Sequence, residues 1–232
     1  MENFTANEGK NLAIDIDGVS YLRIPVKTKL VMKEDDLFEV VNEYTKDIRR
    51  PGDIVFCSEK IIAITQGRAF PISEIKPSWL AKFLVKFVYK SPYGIGLGSP
   101  YTMQLAIIDV GVPRLLLGCL AAAVTKPFGV RGAFYKVCGP KAYAIDGPCD
   151  CTIPPYNRYA KMAPKNPDKV ARDMKAKLGN EFIVLDANDL NVDILGKSSK
   201  DLDEKFLKAL FKDNPLGQNS QQTPIAIVRK AE

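Results

Sequence analysis

Apolar and polar positions alternate from Leu12 to Val26, with one break at Asp17-Gly18. That pair accepts the positive φ of a tight turn, so the stretch predicts a β-hairpin. Lys33-Glu34-Asp35-Asp36 follows, and then Leu37, Val40, Val41, Tyr44 and Ile48 recur at helical spacing. The acidic start suits the positive end of a helix dipole, and Pro51-Gly52 stops the helix. Two apolar runs, Ile54 to Cys57 and Ile61 to Ile64, read as buried strands. Trp79 to Tyr89 predicts an amphipathic helix whose Trp79, Leu80, Phe83, Leu84 and Phe87 form a core or dimer face. Gln104 to Val110 reads as a strand and Leu115 to Val124 as a buried helix. Gly132 to Val137 and Tyr143 to Ile145 read as further strands. Pro167-Asp168 opens a helix through Leu178 that ends at Gly179-Asn180. Phe182 to Leu185 is the next strand, about Asp201 to Phe211 the last helix, and Ile225 to Val228 the final strand. Strands and helices mix without strict βαβ alternation, which predicts an α+β fold with mixed sheets and flanking helices. No repeat or linker divides the 232 residues, so a single domain over 1–232 is expected.

Composition narrows the chemistry. There is no histidine, which excludes Ser-His and Cys-His nucleophile systems. Acid–base or metal work must therefore use Asp, Glu, Lys, Tyr or Cys. The formal charge of +6 suits nucleotides and other acidic partners. The basic residues are dispersed, so a nucleic-acid surface is not expected. The five cysteines suggest no disulfide framework, and Cys138, Cys149 and Cys151 make only a weak soft-metal pattern. The longest apolar stretch is too short to span a bilayer, and the start of the chain lacks signal-peptide regions. A cytoplasmic, non-membrane protein is the expectation.

Two aspartates stand at predicted strand ends, Asp146 before Gly147-Pro148 and Asp186 before Ala187-Asn188-Asp189. Each reads either as a turn residue or as an oxygen ligand for a hard cation beside a phosphate. The loop Tyr93 to Pro100, with Gly94, Gly96 and Gly98, reads as a phosphate cradle or as a structural turn. It lacks both the P-loop and the dinucleotide spacing. Ser58-Glu59-Lys60 lies between two apolar runs. A charge there needs a partner, either Glu59, another carboxylate or a bound phosphate.

The order of several motifs resembles a known family. Ile24-Pro25-Val26, Glu34-Asp35-Asp36-Leu37, Pro51-Gly52-Asp53-Ile54-Val55-Phe56-Cys57-Ser58 and Gln66-Gly67-Arg68 follow one another as in the coenzyme F(420)-0:γ-glutamyl ligases. Ala144-Ile145-Asp146, Ala163-Pro164-Lys165-Asn166-Pro167-Asp168, Val184-Leu185-Asp186 and Pro224 to Arg229 resemble later segments of that family. The resemblance implies a γ-glutamyl ligase-like fold and an intertwined homodimer. It implies GTP-dependent amide formation between L-glutamate, or a similar amino acid, and a small phosphorylated or cofactor-like acid. It implies Mg²⁺ or Mn²⁺ on Asp146 and Asp186; Asn188 and Asp189, which follow in the chain, are candidate replacements for the family ligands that this sequence lacks. It implies that Ile24, Pro25, Val26, Lys27, Ser58, Glu59 and Lys60 line the nucleotide, with Lys60, Asp146 and Asp186 as the catalytic set. The chain departs from the family at Gly147-Pro148-Cys149 (Ser-Asn in the family), at Ile64 (Lys), at Ala187 (Thr) and over about 91–139, where no counterpart is evident. These departures leave an alternative: a family member without ligation that binds a small anionic metabolite or a protein partner.

Overall fold

A computed structural model describes residues 4–88, 95–130, 132–150, 152–189, 191–217 and 220–231. In chain order the elements are β1 (Ala13–Ile16), β2 (Val19–Val26), α1 (Leu37–Thr45), β3 (Ile54–Ser58), α2 (Glu59–Thr65) and β4 (Ala69–Pro71). Then come α3 (Trp79–Leu84), α4 (Pro100–Val110), α5 (Val112–Thr125), α6 (Ala133–Cys138), α7 (Pro140–Tyr143) and β5 (Tyr159–Lys161). The chain ends with α8 (Pro167–Leu178), β6 (Glu181–Ala187), β7 (Val192–Lys197), α9 (Glu204–Leu210) and β8 (Ile225–Lys230). The fold is α+β. Contacts divide it into two compact units, residues 1–66 with 164–232, and residues 67–163.

The first unit is built on a six-stranded sheet in the order β1-β2-β8-β3-β6-β7. Every pair is antiparallel except β3 with β6. The hairpin forms as expected, with Asp17 at φ 50° and Gly18 at φ 78°. Pro25 is tolerated because β1 pairs only with residues 19–22, which leaves β2 an edge at that point. One face of the sheet packs Phe56, Ile183, Leu185, Ala226 and Val228 against Leu207, Leu210 and Phe211 of α9 and the turn after it. Helix α8 packs on β6 and β7. Its Pro167 sits at the first turn, Gly179 closes it at φ 80°, and Ala171, Met174 and Leu178 form the buried stripe.

The second unit is mostly helical, with the short β4–β5 pair. Its core gathers Leu84, Leu97, Met103, Leu105, Leu115, Cys138, Ile145 and Met162.

Four expected strands are otherwise. Ile61–Ile64 lie in α2, Gln104–Val110 in α4 and Ala133–Val137 in α6. Tyr143 ends the helical turn α7, and Asp146 makes only a single bridge with Lys161. The reason is shared by the first two. Each run is apolar at successive positions whether they are buried, as Ile61–Ile64 are, or solvent-facing, as Ile108 is at 61% exposure, so neither run carries a helical period. The start signals were nonetheless present: Ser58 caps α2, and Ser99 with Thr102 forms a capping box ahead of Pro100. Helix α5 forms where expected, but only its Leu115 and Gly118 are buried. Strand β7, unread in the sequence, pairs along β6. The glycine-loop residues Tyr93 and Gly94 lie outside the described residues.

Candidate active site

Strand register brings several expected site segments to one rim of the six-stranded sheet. Val26 and Cys57 both stand opposite Ile225, and Ser58 stands beside Leu185, one residue before Asp186. The carboxyl ends of β2, β3 and β6 therefore share a rim with the start of β8. Two backbone bonds tie it together: Ser58 N donates to Pro224 O at 2.8 Å and Thr28 N to Gln222 O at 3.1 Å. From β2 to β6 is three strand spacings, about 14 Å, which is the scale of a nucleotide.

The side chains on this rim are not equal. Ile24 and Val26 are buried in the core, so of the segment 24–27 only Pro25 and Lys27 offer side chains to solvent. Ser58 turns the chain from β3 into α2, its hydroxyl accepting from Lys60 N at 3.4 Å. Glu59 is buried. Lys60 is half-buried and Lys27 exposed, and neither ammonium group has a hydrogen-bond or ion-pair partner among the described residues. Asp186 is half-buried and stands opposite Asp193 of β7. Asp193 itself faces Lys208 at 3.6 Å and accepts from Asn191.

The neighbouring loop is already occupied by internal bonds. The Asn188 side chain accepts from Asn191 N at 3.0 Å. Asp189 takes the Lys10 ammonium at 2.9 Å and Asn214 Nδ2 at 3.2 Å. The Lys10 hydrogen bond holds the Asp189 carboxyl below the usual carboxylate range. Asp146 belongs to the second unit and Asp186 to the first. Asp146 Oδ2 lies 3.3 Å from the buried Lys161 ammonium, which also donates to Ala144 O. Among the described residues no group of three or more Asp, Glu, His or Cys side chains is placed to hold a metal ion. Mg²⁺ in nucleotide sites is commonly held by one or two carboxylates, with phosphate oxygens and water completing its shell. Asp186 supplies one carboxylate at this rim, and Asp186, Asn188 and Asp189 all make interactions within the chain.

Several residues that carry the family resemblance are structural clamps. Asp53 receives Arg229 at 2.8 and 2.7 Å and Arg50 N at 2.7 Å. Gln66 bonds the Lys165 backbone in both directions. Arg68 joins Asp109 at 2.6 Å and also donates to Ala163 O. Cys149 is disulfide-bonded, a correction to the expectation of no disulfide, while Cys57, Cys119 and Cys138 are free. An open cleft of about 730 Å³ lies in the second unit against Ile72, Tyr101, Arg158 and Tyr159, and none of the expected site residues lines it.

Residues 25–120 match the model of the family described as F420-0:Gamma-glutamyl ligase. This supports assignment of the chain to that family. The γ-glutamyl ligase match begins at Pro25, covers Lys27 and Ser58-Glu59-Lys60, and runs on into α5; Asp146 and Asp186 lie beyond it. No curated protein matches the chain. What sequence reasoning missed on the rim is Thr28, which follows Lys27 directly, and Asp193, whose alternation with Val192 and Ile194 was the signal for β7. Lys161, the partner of Asp146, carried no motif.

Proposed function

We propose that the chain is an acid–amino-acid ligase of the γ-glutamyl type that uses GTP. The observation that carries this reading is the meeting of Lys27, Ser58, Lys60 and Asp186 at one sheet rim, with most of that set inside the family match. Open α/β sheets bind ligands beyond the carboxyl ends of their parallel strands, and β3 and β6 are such a pair. Two ammonium groups with no partner among the described residues, at such a rim, favour an anionic ligand.

The chemistry is a two-step transfer. A carboxylate oxygen of the phosphorylated, cofactor-like acid attacks the γ-phosphorus of GTP, and the bond to GDP breaks. The amine of L-glutamate, or of a similar amino acid, then attacks the acyl carbon. Phosphate leaves with the bonding pair, the amine loses a proton, and an amide remains. Lys60 and Lys27 draw the phosphate oxygens and hold them as charge shifts to the leaving group. Ser58, capping α2, fixes the turn that aims Lys60. Mg²⁺ or Mn²⁺ bound at Asp186 would neutralise charge on the same oxygens.

Calorimetric titration of GTP with Mn²⁺ tests this. The wild-type chain is expected to bind, and Lys60→Met and Asp186→Asn each to bind about tenfold more weakly. No heat with GTP, or unchanged affinity in both variants, contradicts the reading. The engagement of Asp146 by Lys161 favours a second reading, a member without ligation that binds an anionic metabolite. Thermal shift separates the two: stabilisation by nucleoside triphosphates supports the ligase, and none supports the binding module.

A further inference from the structure

The second unit carries an apolar surface that the ligase reading does not use. On α5, Leu116, Leu117, Leu120 and Val124 fall within an arc of about 100°, opposite the buried Leu115 and Gly118. That arc is solvent-facing: Leu117 is 59%, Leu120 61% and Val124 57% exposed, and Phe128, in the turn that follows, 81%. The inward face is full, since a Cβ on Gly118 would meet Cys138 Sγ at 2.6 Å. Arg114 and Lys126, both exposed, flank the arc on either side. In the same unit Trp79 and Phe87 are 76% and 71% exposed, with Phe83 between them and the exposed Lys82 and Lys86 in the same turns.

Charge selects the occupant. Residues 67–163 hold twelve Lys and Arg against four Asp and Glu, a formal excess of eight, while the rest of the chain sums to −2. We propose that this face of α5 docks on an anionic lipid surface, with the leucines in the interface and the flanking basic side chains on the headgroups. Large apolar side chains bordered by Lys and Arg, with an exposed Trp in the same unit, are the composition of interfacial helices. A second copy of the chain would bring two surfaces of the same excess charge together. Spanning is not required. No single described helix is long and apolar enough to cross a membrane; α4 with residues 112–128 passes only as a pair bent by 115°, and α4 contributes Met103, Leu105 and Ala106 to the core. The sequence reading excluded a membrane on span length, a criterion that does not apply to a helix lying in the interface plane.

Vesicle co-sedimentation of the full chain tests the proposal. Vesicles with about one third phosphatidylserine are expected to pellet the wild-type protein, pure phosphatidylcholine vesicles to leave it in solution, and about 0.5 M NaCl to weaken binding. The pair Leu117→Asp with Leu120→Asp is expected to lose about tenfold in partitioning, with circular dichroism confirming the fold. The charge pair Arg114→Glu with Lys126→Glu, at the two flanks of the arc, removes no apolar surface and is expected to lose binding as well. Wild-type protein that stays in solution with anionic vesicles, or binding indifferent to salt and to both pairs, overturns the proposal. Sedimentation equilibrium that finds a dimer dissolved by the leucine pair, without lipid binding, overturns it in favour of a second copy.

Discussion

Asp53, part of a motif that carries the family resemblance, has a structural role. It is 3% exposed and accepts from Nε and Nη2 of Arg229 as well as from Arg50 N, which joins the turn before β3 to strand β8. Removing one partner of a buried pair leaves the other charge uncompensated. Asp53→Ala is therefore expected to cost about 3 kcal/mol in urea unfolding, while Asp36→Ala, which removes only the α1 cap, costs about 1 kcal/mol. Equal effects would mean that the clamp is not formed. Glu181 governs a pH response. Burial raises its pKa, but hydrogen bonds from Lys175, Ser198 and Ser199 outweigh burial and hold it below its ordinary 4.5. A carboxyl lowered on folding adds stability above its unfolded pKa and loses it as pH falls through the folded one. Acid titration of stability below about pH 4.5 is thus expected to be shallower in Glu181→Gln than in wild type; parallel curves would remove Glu181 from the response. Cys57 is expected to stay unreactive in the folded chain, because full burial pushes its thiol pKa up.

Helix α8 and strand β7 meet closely at Gly196. A Cβ on Gly196 would lie 2.4 Å from Pro167 C and 2.7 Å from Asp168 N, and Lys197 N donates to Asp168 Oδ1 at 3.0 Å. Gly196→Ala must push the helix start off the strand, with an expected cost of about 2–3 kcal/mol; an unchanged urea midpoint would mean that the two elements slide freely. Helix α8 was legible in the sequence because Pro167, the buried stripe and Gly179 are all local signals. The β1–β2 hairpin was legible for the same reason, through Asp17-Gly18. Helices α2 and α4 were not, since Ile61–Ile64 and Leu105–Ile108 offer no polar period and length alone did not separate buried helix from buried strand. The Ser58 and Ser99 caps were the discriminating evidence. Asp186 was rightly placed near a strand end. The partner of Asp146, Lys161, comes from a bridge between segments fifteen residues apart, which no local pattern records.

At the scale of the whole molecule, the chain divides into a sheet unit holding the candidate nucleotide rim and a basic, helical unit with an uncovered apolar face. The rim arises from topology. Only the order β2-β8-β3-β6 carries Lys27, Ser58-Lys60, Gln222-Pro224 and Asp186 to the same side, although they are scattered from one end of the sequence to the other. Motif order pointed to these segments, but their adjacency depends on the long-range register of β8 between β2 and β3. The most direct test of the central claim is hydrogen–deuterium exchange of the full chain with and without GTP and Mn²⁺. The account predicts slowed exchange confined to the backbone around residues 26–28, 58–62, 186–189 and 222–225. Unchanged exchange in those four segments, with protection elsewhere or nowhere, would contradict it.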